Sequence, residues 1–229
     1  KCWSGYKKIA VLKNGETSPE MISSFNISTD AIKTSNVGEY DITVSDGEAK
    51  NYEIVNYVSG KLVVTKAPLT VIAKNFTKIY GDKNPEFQYS YYGTKNNDEE
   101  NNIFETLPNI SCIANETSNA GEYDIEIGGA FSNNYEITYK YGILSINKRE
   151  ITVSTNNYTR VYGKENPDFE IFYNGFVNNE DESVFLIKPK AKTNAEKYSD
   201  VGVYEINIEG GDDENYSFAY NNSTLTIEK

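Results

Sequence analysis

The chain repeats itself. Tyr80-Gly81-Asp82-Lys83-Asn84-Pro85-Glu86-Phe87 returns as Tyr162-Gly163-Lys164-Glu165-Asn166-Pro167-Asp168-Phe169, an offset of 82 throughout. Further on, Ala120-Gly121-Glu122-Tyr123 answers Val201-Gly202-Val203-Tyr204, and Asn134-Tyr135 answers Asn215-Tyr216, now at 81, so a loop has lost one residue. The first third joins the series. Val37-Gly38-Glu39-Tyr40 precedes Asn51-Tyr52, Gly60-Lys61-Leu62-Val63-Val64 matches Gly142-Ile143-Leu144-Ser145-Ile146, and Asn14-Gly15-Glu16 falls 82 before Asn96-Asn97-Asp98. Self-similarity at a fixed period is the signature of tandem copies of one small module. The register gives copies at residues 1–66, 67–148 and 149–229. Trp3 then stands where Pro85 stands, so the first copy is expected to lack its opening strand and its Tyr-Gly-x-x-Asn-Pro turn. The seams at Thr65–Val71 and Asn147–Val153 put a last strand two to four residues before the next first strand, too short for a flexible linker. They predict stiff, end-to-end coupling. Three globules of this size in line would reach roughly 90 to 100 Å.

Within a copy the apolar residues alternate. Leu69–Ala73, Phe87–Tyr91, Tyr123–Ile127, Tyr135–Tyr139 and Ile143–Ile146 read as period-two strands, one face buried and one wet. With 19 Tyr against 1 Met, and aromatics at 13% of 229 residues, the composition fits pleated sheets and is too rich in aromatic and β-branched residues for disorder. The stretches Asn102–Leu107 and Glu182–Ile187 predict one or two helical turns, ended by Pro108 or Pro189. The expected fold is mostly β with a little helix, in three tandem small domains forming an elongated array.

Several functions are disfavoured at once. The chain has no histidine, the side chain most used for proton transfer near neutral pH and for transition metals. A net charge of −12 opposes a phosphate-backbone partner, and by copy the charge runs 0, −5 and −7. No nucleic-acid partner is expected. Cys2 and Cys112 have no zinc or thioredoxin-like spacing and fall in different copies, so they are expected to be reduced and separate. No apolar run is long enough to insert in a membrane, and Lys1 has no signal-peptide core behind it, which reads as a mature segment or a fragment.

Tyr-Gly-x-x-Asn-Pro-x-Phe, an Asn-rich acidic turn, Gly-x-Tyr-x-Ile, Asn-Tyr-x-x-x-Tyr and a closing Leu-x-Ile-x-Lys together resemble the MBG domain of the YGX type. Those domains are tandem repeats of bacterial cell-surface proteins and adhesins, related to the β-grasp fold. The resemblance covers copies two and three fully and about four-fifths of copy one. It implies an extracellular β-rich module of a long surface protein, and it brings no catalytic residues.

The residues themselves offer a few candidates. In Tyr80-Gly81 and Asn84-Pro85, glycine supplies a backbone angle others resist, proline fixes the turn, and the tyrosine packs on a neighbouring strand. Gly121 with Tyr123, and Gly202 with Tyr204, read as turns in which a tyrosine anchors a corner. Repetition in every copy argues for architecture. The acidic clusters at Asn96–Glu100, Asn178–Glu182 and Gly210–Asn215 read first as solvated turns, and lack the EF-hand spacing. If calcium binds, Asp212, Asp213 and Glu214 are the best candidates, completed by backbone or a neighbouring copy. No other cofactor is expected. Tyr89, Tyr91 and Tyr92, or Phe172 and Tyr173, alternate or adjoin so that some rings must point outward, a platform on which sugars or a protein partner could stack. Paired acids for glycoside hydrolysis need a cleft that such small modules rarely enclose. A Lys–Asn cross-link is permitted by composition, yet nothing selects its triad. Asn75-Phe76-Thr77 and Asn157-Tyr158-Thr159 are chance sequons in so Asn-rich a chain. The sequence therefore predicts a monomeric, non-catalytic spacer of a bacterial surface adhesin that holds a distal binding domain away from the cell. The alternative is a weak binding module for glycan or host matrix protein.

Overall fold

The computed structural model describes residues 22–49 and 53–229. Strand makes up 52% of the structure and helix 3%, which settles the class as mostly β. Cys2, Trp3, Asn14-Gly15-Glu16 and the Asn51-Tyr52 pair lie outside the described residues or at their edge, as does the expected truncation of copy one.

The first repeat contributes an antiparallel sheet of β1 (Ile22–Thr29), β2 (Gly38–Ala49) and β3 (Gly60–Val64), with β2 central. The second runs β4 (Ala67–Ala73), β5 (Phe76–Ile79), β6 (Tyr89–Tyr92), helix α1 (Glu100–Ile103), β7 (Asn109–Cys112), β8 (Gly121–Gly128), β9 (Tyr135–Lys140) and β10 (Gly142–Asn147). These make two sheets, β6-β4-β9 and β5-β10-β8-β7. The third repeats the pattern with β11 (Arg149–Thr155), β12 (Tyr158–Val161), β13 (Ile171–Asn174), β14 (Lys190–Thr193), β15 (Gly202–Glu209), β16 (Tyr216–Asn221) and β17 (Ser223–Glu228). Its sheets are β13-β11-β16 and β12-β17-β15-β14. The sheet of the first repeat matches the β7-β8-β10 part of the second, strand for strand.

Alternation explains why these segments pair. Leu69, Val71 and Ala73 are buried on β4 and Ile151 and Val153 on β11, with polar or half-exposed residues between them. In the third repeat Ile206, Leu225 and Ile227 close on Ala195, flanked by Tyr158, Phe169, Ala191 and Tyr204. Each such aliphatic side chain contributes roughly 2 kcal/mol by leaving water. Beside this aliphatic core sits an aromatic one, in which Phe185 lies edge-on to Tyr173, Tyr216 and Phe218 and stacks on Phe176.

By contact density the described residues fall into two compact units. One takes the chain up to Leu69 with Gly93–Thr106 and Phe131–Ile137, and the other takes Thr70–Tyr92, Leu107–Ala130 and Thr138–Lys229. The expected helices are shorter than the sequence suggested, and the first begins two residues earlier. Helix α1 is a single turn from Glu100, burying Ile103, and its counterpart is a 3-10 turn, Glu182–Val184, where the Asp181 carboxylate accepts from the Ser183 N–H. Both follow paired left-handed asparagines, Asn96-Asn97 and Asn178-Asn179, with φ between 54° and 60°. Asparagine tolerates that region better than most residues, so the Asn-Asn pair sets where the helical turn begins. No helix among the described residues is long and apolar enough to cross a membrane.

Candidate functional site

The features that recur in the chain converge on the joints between repeats. In the second compact unit, β5 runs into the Tyr80-Gly81 turn, and Tyr80 is 3% exposed although it lies at a strand end. Its ring meets Tyr216 edge-on at 5.5 Å, and its hydroxyl donates to Glu180 Oε1 at 2.7 Å. Tyr216 donates to the other carboxylate oxygen of Glu180 at 2.5 Å. Two phenols thus grip one carboxylate. Burial, and then the bond to Glu180, push both phenols above their ordinary range. Gly81 follows with φ +82°, and a Cβ there would fall 2.4 Å from Val177 Cγ2. Only glycine meets both demands. From β11, Arg149 Nε donates to the Tyr80 carbonyl at 2.7 Å and its guanidinium pairs with Asp82.

A second clasp lies beside the first. Tyr204, Tyr123 and Tyr40 each donate to the carbonyl four residues upstream, at 2.8 to 3.0 Å, which pins the bend before β15, β8 and β2. The bend before β8 presents Asn119 and Ala120 to the next repeat. There Asn215 Oδ1 accepts from the Ala120 N–H at 2.8 Å, and Asn215 Nδ2 donates to Asn119 Oδ1 at 3.1 Å. The seam lysine completes the joint, with Lys148 Nζ on the Asp213 carbonyl at 2.7 Å.

The first compact unit holds the asparagine, lysine and tyrosine–acid contacts one repeat earlier, without a counterpart of the Tyr80-Gly81 turn among the described residues. Asn134 Oδ1 accepts from the Val37 N–H and Asn134 Nδ2 donates to Asn36 Oδ1, at 2.9 and 2.8 Å. Lys66 Nζ donates to the Ser132 carbonyl at 2.7 Å. Tyr135 donates to Asp98 Oδ2 at 2.7 Å, as Tyr216 does to Glu180. Asparagines 81 apart thus make the same pair of contacts at both joints.

The family model described as MBG domain (YGX type) matches residues 6–63, 69–145 and 151–226, which is most of the chain in three tandem segments. The chain belongs to the MBG domain family of the YGX type. No curated protein matches it. In this MBG array the Tyr80-Gly81 turn is the one that enters the neighbouring repeat.

The turn has an interior too. Asn84 and Asn166 donate to the carbonyls of Ala114 and Ala195, both at 2.6 Å. Behind them lies a buried cation in both the second and the third repeat. Arg160 reaches Asn166 Oδ1 at 2.7 Å and the Glu196 carbonyl at 2.6 Å, whereas Lys78 reaches the carbonyls of Asp82 and Asn115 and leaves Asn84 Oδ1 without a partner. Burial pulls the Lys78 ammonium below its ordinary range.

The residues singled out from sequence lie elsewhere. Tyr89 and Tyr91 are half-buried on β6 and Tyr92 faces out, 52% exposed. On β13, Phe172 is 41% exposed, while Tyr173 turns inward onto Phe176 and Phe185. In each group one ring faces out, Tyr92 on β6 and Phe172 on β13. Asp213 is 5% exposed, and its Oδ1 accepts from the N–H groups of Asn215 and Tyr216 at 2.7 and 2.9 Å. Asp212 and Glu214 are exposed beside it. Among the described residues no group of three acidic or thiol side chains converges to hold a metal. Asp213 instead shapes the turn that delivers Asn215 to the joint. Cys112 is a half-buried free thiol on β7. What the sequence reading missed is Glu180, read as a solvated acid, because nothing local ties residue 180 to residues 80 and 216.

Proposed function

We propose that the chain is a non-catalytic spacer segment of a bacterial cell-surface protein, extracellular, in which MBG repeats are locked in series to hold a distal binding domain away from the cell. The observation that carries this reading is the duplicated joint: Asn134 on Asn36 and Val37, and Asn215 on Asn119 and Ala120. A repeat used only as a bead on a string needs no such clasp, whereas a spacer converts repeat number into length only if each joint resists bending. The test is the distance between spin labels at Glu126 and Glu205, in a chain whose two cysteines are replaced. A single narrow distribution is expected, broadened by Tyr80→Ala with Asn215→Ala. A broad distribution in the unaltered chain would refute the spacer role.

A second reading rests on Tyr92 and Phe172, the two outward rings among the five candidates. As a weak glycan or host-protein module the chain would bind saturably to immobilised glycans, mucin or matrix proteins, and Tyr92→Ser with Phe172→Ser would abolish the binding.

A further inference from the structure

The third repeat carries the same joint-forming parts as the second, but they lie open. Tyr162, the counterpart of buried Tyr80, is 50% exposed, and a Cβ on Gly163 would meet nothing within 4 Å, where one on Gly81 would strike Val177. The turn itself is already built. Gly163 has φ +79° against +82° for Gly81, and the Tyr162 N–H donates to the Glu228 carbonyl as that of Tyr80 does to Asn147, at 2.8 and 2.9 Å. The corner is built as well, since Tyr204 holds the Asp200 carbonyl at 2.9 Å and so fixes Asp200 and Val201 where Asn119 and Ala120 stand in the second repeat. Lys229 occupies the register of Lys148. Around these parts Tyr198, Val201 and Val203 are 71%, 49% and 68% exposed, at positions the second repeat fills with Thr117, Ala120 and Glu122.

We propose that this end of the third repeat, formed by Tyr162, Gly163, Asp200 and Val201, is a docking surface for a further MBG repeat attached through Lys229. The occupant is argued from the covered joint. The incoming repeat would bring an Asn-Tyr pair like Asn215-Tyr216 and an acid like Glu180. Its asparagine amide would donate to the Asp200 carboxylate and accept from the Val201 N–H. Its acid and tyrosine would receive Tyr162. An aspartate in place of Asn119 keeps the acceptor and adds charge, which strengthens the bond to an amide donor. The apolar side chains around it suit a repeat whose facing surface is itself apolar. The inference stands on the joint geometry, whether the chain serves as a spacer or as a binding module.

The test appends residues 149–229, or in a second fusion residues 67–148, directly after Lys229 of the full chain. Backbone hydrogen exchange at residues 161–164 and 199–203 is expected to slow by on the order of tenfold or more in the fusions, matching residues 79–82 in the same molecules. Tyr162→Ala should reverse that protection in the fusion while leaving exchange of the unextended chain unchanged outside its own turn. Asp200→Asn should keep the protection and Asp200→Ala should lose it. Absence of new protection at 161–164 in both fusions overturns the proposal. So does protection in the unextended chain that rises with protein concentration, which would place a second copy there instead.

Discussion

Gly81 and Gly163 have the same backbone angle in the same motif, yet only Gly81 is pressed against a side chain of another repeat. Substituting each therefore separates backbone strain from packing. Gly163→Ala should cost about 1 kcal/mol for a non-glycine residue at positive φ. Gly81→Ala should cost about 3 kcal/mol, because Val177 must also yield. Chemical denaturation followed by tyrosine fluorescence measures both, and equal costs would mean that the Val177 contact does not hold in solution. The pair Lys78 and Arg160 offers a change in the other direction. Arg160 satisfies Asn166 Oδ1, while the shorter Lys78 leaves Asn84 Oδ1 buried without a donor. Lys78→Arg should supply the missing bond and raise stability by about 1 kcal/mol. A loss on denaturation would show that the second repeat lacks room for the guanidinium.

The tyrosine corners act one level up, because each couples a bend to the strand that follows it. Tyr123→Phe and Tyr204→Phe delete the same bond, at 3.0 and 2.9 Å, and each should cost about 1 kcal/mol. Their reach differs. Tyr123 holds the bend that presents Asn119 to Asn215, so its loss should speed exchange of the Ala120 amide and loosen the joint, whereas Tyr204→Phe should leave that amide protected. Exchange of both variants at Ala120, measured side by side, checks the claim. The corners were legible in sequence, as were most strands, because Gly-x-Tyr and period-two alternation are local signals. Strands β5, β7, β12 and β14 were not, being four residues long, and β7 and β14 carry polar side chains at alternate positions. The joint was half legible. Short seams and repeated asparagines are visible along the chain, but the gathering of Tyr80, Glu180 and Tyr216 spans up to 136 positions and appears only once the strands are paired.

Across the whole chain, the absence of histidine removes the usual titration near neutrality, and the phenols govern the alkaline limb. Tyr80, Tyr135 and Tyr216 all titrate above the unfolded value of 10.0, chiefly through burial and then through their bonds to Glu180 or Asp98. A folded-state pKa above the unfolded one gives stability that is complete below pH 10 and lost as pH rises through the folded value. Lys78 works the other way, its depressed pKa adding stability as pH climbs toward 10.5. Burial raises Tyr173 and Tyr220 as well, exposed Tyr92 shifts down, and Lys61 beside Asp41 shifts up, so the raised groups outnumber the lowered ones and stability should fall above pH 10. Tyr216→Phe should flatten that fall, and denaturation midpoints from pH 8 to 11 test it. An unchanged slope would mean that Tyr216 does not keep its proton at the joint. The asparagine clasp has one more consequence, set by time. Side-chain amides hydrolyse slowly with heat and age. Deamidation of Asn134 or Asn215 would remove the nitrogen that faces Asn36 or Asn119 and put a carboxylate oxygen opposite their oxygens. Attraction would turn to repulsion at one joint while every strand stayed folded, so such an array would wear by slackening at its hinges long before it unravelled.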